Sequence, residues 1–444
     1  MSAALPLALL TSCALLWSAA ASDNCYDHQT ETYSARFSPA GCTKTCTVTP
    51  FFSPDTSIST YVSLIEEAQE SIDIYTPGLR SWSYCTDYKE ECEGCTGCSI
   101  EAQRNESFPV FPALLNAVHD RGVKIRIVTN NFTIPACPGK ITPFDWLVLN
   151  DVQVRMYTTT TFQHAKYITV DKGKKTAVSS VNWSYTSFLK NREAGVILED
   201  CTCSAVSLYQ SAFDYDWDNG EDYVITQTYT PSEMAVITNK AHMPYTVPDS
   251  PGVPGAFVTQ LIKHDNVAIK KGYSSPDSSR DTIMSYFPQV QQSFNLAVYQ
   301  VTDDGLCDEL LSLYNRGVNV TVMVSDYIVS EYDYYKAQDC YKKLYDGGMK
   351  GRVQYAYSKF EFSHEKYWII DSTTIHLSTG NWSPSDFPTG TSWKPYSQSG
   401  KSVNRDLEIV LEQQDMVDYF YRVYDADWAL GKPWEPKSLT HKGH

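Results

Sequence analysis

Two histidines in this chain carry the same neighbours. His164, Lys166 and Asp171 recur as His364, Lys366 and Asp371, all at one common offset. Each copy runs on to a pair of small residues, Ser179-Ser180 and Ser378-Thr379, and then to Asn-Trp-Ser at Asn182 and Asn381. The first copy has one more residue between its Asp and its Asn. Paired imidazoles and ammoniums suit the cleavage of a phosphodiester. One imidazole attacks phosphorus, the other protonates the departing oxygen and then activates water, and imidazole titrates near the working pH. The two ammoniums and the two Asn amides hold the non-bridging oxygens, where charge develops. In an extended chain, residues i and i+2 share a face, so each strand presents its His and Lys together. Asp171 and Asp371 lie at odd offsets and face the other way, as structural partners. Two histidines with carboxylates also suit a metal, but an ammonium beside each His repels a cation. No metal and no other cofactor is expected.

This pattern resembles the HKD motif of the phospholipase D superfamily, where the small pair is usually Gly-Ser. The resemblance covers most of the chain. It implies an α/β fold: two phospholipase D-like α/β/α sandwich domains related by a pseudo-twofold, with the active site at their interface. It implies a metal-independent phosphodiesterase working through a phosphohistidine, with His164, Lys166, Asp171, His364, Lys366 and Asp371 as the catalytic set. Attack falls to His164 and proton donation to His364. Asn182 and Asn381 bind phosphate, and Glu193 and Asp406 hold the imidazoles in one tautomer. Asn381-Trp-Ser383, and Ala194 to Leu198 followed by Asp200-Cys-Thr-Cys203, look like the lysosomal branch. That branch implies a glycoprotein that degrades single-stranded DNA and RNA from the 5′ end, with lipid transphosphatidylation as a further activity.

The elements that must position these residues also repeat. Ser71 to Tyr75 answers Ser293 to Ala297, and Arg121 to Val128 answers Arg316 to Met323. Amphipathic stretches precede the latter pair, Phe111 to His119 and Leu306 to Tyr314. A helix, a glycine at its end and then a β-branched strand make an α/β unit. Asn191-Arg192-Glu193 answers Asn404-Arg405-Asp406, followed by strands at Gly195 to Leu198 and Leu407 to Leu411. Asp214 to Trp217 answers Asp425 to Trp428 on closing helices. Each half is thus a domain with helices on both faces of a sheet, over residues 22–230 and 256–444. The Pro-rich stretch 231–255 joins them. In the Tyr-rich run from Tyr332 to Tyr345, the spacing of Tyr334, Ala337, Tyr341 and Leu344 predicts a packed helix rather than a base-stacking surface.

The 444 residues leave room for two domains with sizeable cores. A net charge of −16 and a pI near 5.0 exclude a broad basic surface for duplex DNA and allow a local positive pocket. Residues 1–21 are mostly apolar and end in Ala19-Ala20-Ala21, which predicts a cleaved signal peptide and a secreted or lysosomal protein. The lack of Lys or Arg before the apolar core keeps an uncleaved anchor as the rival reading. Of thirteen cysteines, twelve lie beyond that leader, so several disulfides are expected. These include the Cys85 to Cys98 insertion, where zinc is the rival reading, and the Cys201-Thr-Cys203 pair. Asn105 and Asn131 head sequons that predict surface glycosylation. The sequons at Asn182 and Asn381 belong to the motif and should be buried at the active site, and Asn319 falls in a strand. The expected partner is a phosphodiester: the 5′ end of a single-stranded nucleic acid, or a phosphatidylcholine-type phospholipid with peripheral membrane contact. Loss of one His or Lys would have favoured a catalytically silent binding glycoprotein, and both sets are intact.

Overall fold

A computed structural model describes residues 32–79, 83, 99–130, 141–157, 161–201, 203–225, 227–394 and 402–436. The leader, the Cys85 to Cys98 insertion and Asn131 lie outside them.

The repeated helix, glycine and strand units form as their sequences require. Val110–Arg121 is helical and stops at Gly122, whose φ of 69° lets its N–H reach back to the carbonyls of Ala117 and Val118. Its counterpart Asp304–Asn315 starts on Asp303, whose side chain accepts the Leu306 N–H, and stops before Gly317, at φ 88°. Each then feeds a strand, Lys124–Thr129 and Asn319–Val324, with apolar side chains buried on both faces.

Seven strands in each half share one order and one set of directions. In the first half the order is Cys46–Ser53, Glu193–Glu199, Lys175–Ser179, Tyr167–Val170, Ser71–Tyr75, Lys124–Thr129, Gln153–Met156. In the second it is His264–Ser275, Val403–Glu412, Thr374–Ser378, Lys366–Ile370, Ser293–Val298, Asn319–Val324, Val353–Tyr355. The last three strands of each set run parallel and the others antiparallel. The edges of the two sets meet where His264 pairs Val48 and Val267 pairs Cys46.

The core lies in three clusters. One packs helices Ser57–Glu67 and Val110–Arg121 on the first sheet; another packs Asp304–Asn315 and Glu331–Asp346 on the second. The third lies between and draws on both halves, with Phe52, Tyr209 and Phe213 beside Tyr367, Phe420 and Tyr424. The closing helices Ser204–Asp218 and Gln414–Leu430 contribute to it. Helices therefore cover both faces of each sheet. In the Tyr-rich helix Glu331–Asp346, Ala337, Cys340, Tyr341 and Leu344 are buried, as the spacing predicts. The 231–255 stretch opens with the helix Pro231–Ile237 and buries Ile237 and Met243 against the first half, where Asn150 and Asn116 donate to their carbonyls. Disulfides join Cys42 to Cys203, Cys46 to Cys201 and Cys307 to Cys340, so the Cys201-Thr-Cys203 pair bridges twice.

Candidate active site

Each histidine stands on the link that enters its strand rather than within the strand. His164 lies between the strands Thr161–Gln163 and Tyr167–Val170, and His364 lies two residues before the start of Lys366–Ile370. The links are set by backbone from the other half. Asn404 and Arg405 pair in parallel with Phe162 and Gln163, and the His164 N–H donates to the Arg405 carbonyl at 3.1 Å. Arg192 bridges to Ser363, and the His364 N–H donates to the Arg192 carbonyl at 2.7 Å. The acid that follows each Arg thereby faces the opposite histidine. Glu193 Oε2 lies 2.8 Å from His364 Nδ1, and Asp406 Oδ1 lies 2.9 Å from His164 Nδ1. With Nδ1 engaged, the chemistry of each ring falls to Nε2.

Lys166 and Lys366 are fully buried. Each Nζ donates to the carbonyl of its own histidine, at 2.6 and 2.9 Å, and Lys166 also reaches the Thr379 carbonyl of the other half at 3.2 Å. Burial pulls Lys166 down to about 8. Burial and the charge of Lys166 pull Lys366 to about 7. The two ammoniums thus form one positive site shared by both copies. Burial also lowers His364, to about 4, despite Glu193. At His164 burial and Lys166 push down, but Asp406 and Asp386 outweigh them and the pKa is raised.

Asp386 escaped the sequence reading. It is buried, with Oδ1 3.2 Å from His164 Nδ1, and it accepts hydrogen bonds from Ser383 Oγ (2.5 Å) and Asn404 Nδ2 (2.7 Å). No repeat marks it in the sequence, because the same offset from Asn182 falls on Ser187. Each small pair supplies a hydroxyl that holds the orienting acid: Ser180 Oγ donates to Glu193 and Thr379 Oγ1 to Asp406, both at 2.7 Å. A second repeat was also missed. Ser53-Pro-Asp-Thr-Ser57 recurs as Ser275-Pro-Asp-Ser-Ser279, and Asp55 and Asp277 bind the buried Arg192 and Arg405.

Asp171 and Asp371, counted with the catalytic set by resemblance, do not join the cluster. Asp171 accepts the N–H groups of Gln69, Glu70 and Ser71, and Asp371 those of Gln291, Gln292 and Ser293. They clamp the start of the neighbouring strand as structural partners, and three N–H donors hold the Asp171 carboxyl below its usual range against its partial burial. Asn182 and Asn381 are half-buried rather than buried. Among the described residues their side-chain amides have no hydrogen-bond partner, and Asn381 Oδ1 is enclosed. Asn105 is exposed, and Asn319 is exposed at the start of its strand. His164, Asp386 and Asp406 are close enough together to hold a cation. Hydrogen bonds from Thr379, Ser383 and Asn404, and the ammonium of Lys166, already meet that charge, so we read a hydrogen-bonded cluster.

The family model for the cardiolipin synthase, phospholipase D-like domain matches residues 61–217 and 283–428, which takes in both copies of the site. The chain belongs to the phospholipase D superfamily. Within it, the chain is 24% identical over 412 residues to a probable phospholipase D of Caenorhabditis elegans, covering 85% of this chain and 67% of that one. It is 26% identical over 334 residues to a 5′-3′ exonuclease of Rattus norvegicus, covering 67% of this chain and 64% of that one. The match thus spans about two thirds of the length of these relatives. A phosphatidylserine synthase from Haemophilus influenzae shares the phospholipase D fold, with a TM-score of 0.56 over 87% of each chain at 11% identity.

Proposed function

We propose that this phospholipase D superfamily member is a phosphodiesterase that passes through a phosphohistidine. The observation that carries the reading is the crossed pairing. Each imidazole has Nδ1 fixed by an acid of the other half, Glu193 on His364 and Asp406 on His164, beside two buried ammoniums. One Nε2 attacks phosphorus and the other serves the leaving oxygen, while Lys166, Lys366, Asn182 and Asn381 hold the non-bridging oxygens.

The preferred substrate is the 5′ end of single-stranded DNA or RNA. Aromatic rings flank both histidines. Phe162 lies 6.2 Å from His164; Tyr299 and Phe362 lie 5.1 and 6.0 Å from His364, and Tyr327 continues outward 6.1 Å from Phe362. Rings in such a line stack with bases whatever their sequence. The net charge of −16 favours a grip on the terminal nucleotides alone. The second reading is a phospholipid head group, favoured by exposed Val329, Tyr332 and Tyr335 close in sequence to Tyr327, an aromatic and apolar set that suits a membrane interface. The disulfides fit a secreted or lysosomal lumenal protein, glycosylated at Asn105 and Asn131. Among the described residues no helix is long and apolar enough to cross a membrane.

Pure protein incubated with 5′-hydroxyl single-stranded DNA and with phosphatidylcholine vesicles, at pH 5 and pH 7, separates the two readings. Shortening of the DNA from its 5′ end supports the first, and release of choline the second. Activity is expected to survive excess EDTA undiminished, because ammoniums supply the charge a cation would bring. Loss in EDTA restored by zinc or magnesium would sink the mechanism.

The pH profile should favour acid. Phosphate binding needs cationic Lys366, so kcat/KM should fall as pH rises through about 7. It should hold on the acid side until His364 takes a proton at about 4. A profile that climbs steadily to pH 9 would contradict the ammonium role.

A further inference from the structure

Five Asn-x-Ser/Thr sequons stand in the chain, at Asn105, Asn131, Asn182, Asn319 and Asn381. The active-site pair, Asn182 and Asn381, is half-buried, while Asn105 and Asn319 are exposed. Asn319 opens the strand Asn319–Val324, just after the turn at Gly317. Its backbone belongs to the sheet, with the N–H donating to the Gln292 carbonyl at 2.9 Å. Its side chain does not. Oδ1 accepts a hydrogen bond from Arg352 Nη1, and among the described residues Nδ2 has no hydrogen-bond partner. The guanidinium thus holds the amide by its oxygen and leaves the nitrogen free.

We propose that Asn319 is a further N-glycosylation site, carrying an oligosaccharide transferred from a lipid-linked pyrophosphate donor. This modification goes beyond the phosphodiesterase reading and needs only the secreted or lysosomal compartment proposed above.

A sequon inside a strand looks protected, and Thr321 shows why that protection comes too late. In the folded chain Thr321 Oγ1 takes hydrogen bonds from Asn295 Nδ2 at 2.7 Å and from the Tyr424 hydroxyl at 2.9 Å. Tyr424 belongs to the closing helix Gln414–Leu430, 103 residues further along the chain. Until that helix is made and packed, the sequon hydroxyl is free and the strand is not yet covered. Transfer therefore belongs to the unfinished chain. In that step Asn319 Nδ2 bonds to C1 of the first sugar as the bond from C1 to the pyrophosphate oxygen breaks. The lipid pyrophosphate leaves, and one amide proton is lost from Nδ2.

The finished fold has room for the product. Gln292, Arg316 and Gly317, beside Asn319, are exposed as well, which suits a bulky and solubilising sugar. The site also lies away from the histidines. Lys366 pairs with Val298 at one end of the neighbouring strand, and Asn319 pairs with Ser293 at the other. At roughly 3.3 Å per residue, that sets the root of the glycan about 16 Å along the sheet from the catalytic lysine. A glycan there leaves the active site open and keeps this end of the second half in water.

The test uses the full-length chain secreted from animal cells. Its peptides are sequenced by mass spectrometry after enzymatic release of N-glycans, which deamidates every Asn that carried one. Asn319 should be deamidated in most copies. Asn319→Gln keeps an amide for Arg352, and it should migrate faster on a denaturing gel by the step of one glycan. Its hydrolysis of bis(p-nitrophenyl) phosphate should equal that of the wild-type protein. The peptide measurement is made on wild-type protein, so it stands even where the variant folds poorly. A bare Asn319 beside an occupied Asn105 would overturn the proposal and leave the compartment reading intact. Bare peptides at every sequon would sink the compartment reading and the proposal together. None of these outcomes bears on the phosphohistidine reading.

Discussion

Replacing His164 or His364 by Ala is expected to lower turnover of a phosphodiester by at least about 1,000-fold each, and the double change should cost no more than roughly tenfold beyond the worse single one. The two imidazoles serve one cycle. Without the attacker no intermediate forms, and without its partner the intermediate is not hydrolysed. Removal of either therefore empties the same pathway, and the second removal has little left to take. Each variant also leaves a buried acid without its ring, Glu193 for His364→Ala and Asp406 with Asp386 for His164→Ala. Circular dichroism and thermal melting must accompany the kinetics, so that a folded, inactive protein is distinguished from an unfolded one. Steady-state p-nitrophenol release gives the turnover. Single losses that multiply in the double variant would mean two independent sites, and would remove the mechanism built on their union.

Arg405→Met should cost about 3–5 kcal/mol of unfolding free energy, measured by urea denaturation, and Arg192→Met a similar amount. Both guanidiniums are buried and each binds acids from both halves. Arg405 donates to Asp216 at 2.8 and 3.1 Å and to Asp277 at 2.5 Å. Arg192 donates to Asp427 at 2.7 and 3.3 Å and to Asp55 at 3.3 Å. A Met in either place leaves two carboxylates without the charge that offsets their desolvation. Removing one acid together with the Arg should restore part of the loss, so Arg192→Met with Asp427→Leu is expected to lose less than the sum of the two single changes. Activity should fall too, because the carbonyl of each Arg receives a histidine N–H and the next residue is the acid on that histidine. A loss below about 1 kcal/mol at Arg405 would show that water reaches these ions in the native state.

The repeat of His, Lys, Asp and Asn, the α/β units and the closing helices were legible because they rest on local spacing. A helix shows its period within four residues and its glycine stop one residue further on. A strand shows its apolar run. Asn191-Arg192-Glu193 and Asn404-Arg405-Asp406 could be picked out as matching acids for the same reason. Their assignment could not. Glu193 serves a histidine 171 residues away and Asp406 one 242 residues away, each in the other half. Those pairings come from backbone bridges between the halves, Arg192 to Ser363 and Asn404 to Phe162, whose register no local period encodes. The same holds for Asp386. By itself it is one acid in a turn. It matters because the second half folds that turn onto His164, while the equivalent turn of the first half brings Ser187 instead. The sequence determined which side chains could do the chemistry. The tertiary structure decided which acid sits on which ring, because proximity between residues so far apart along the chain comes only from how the sheets register and pack.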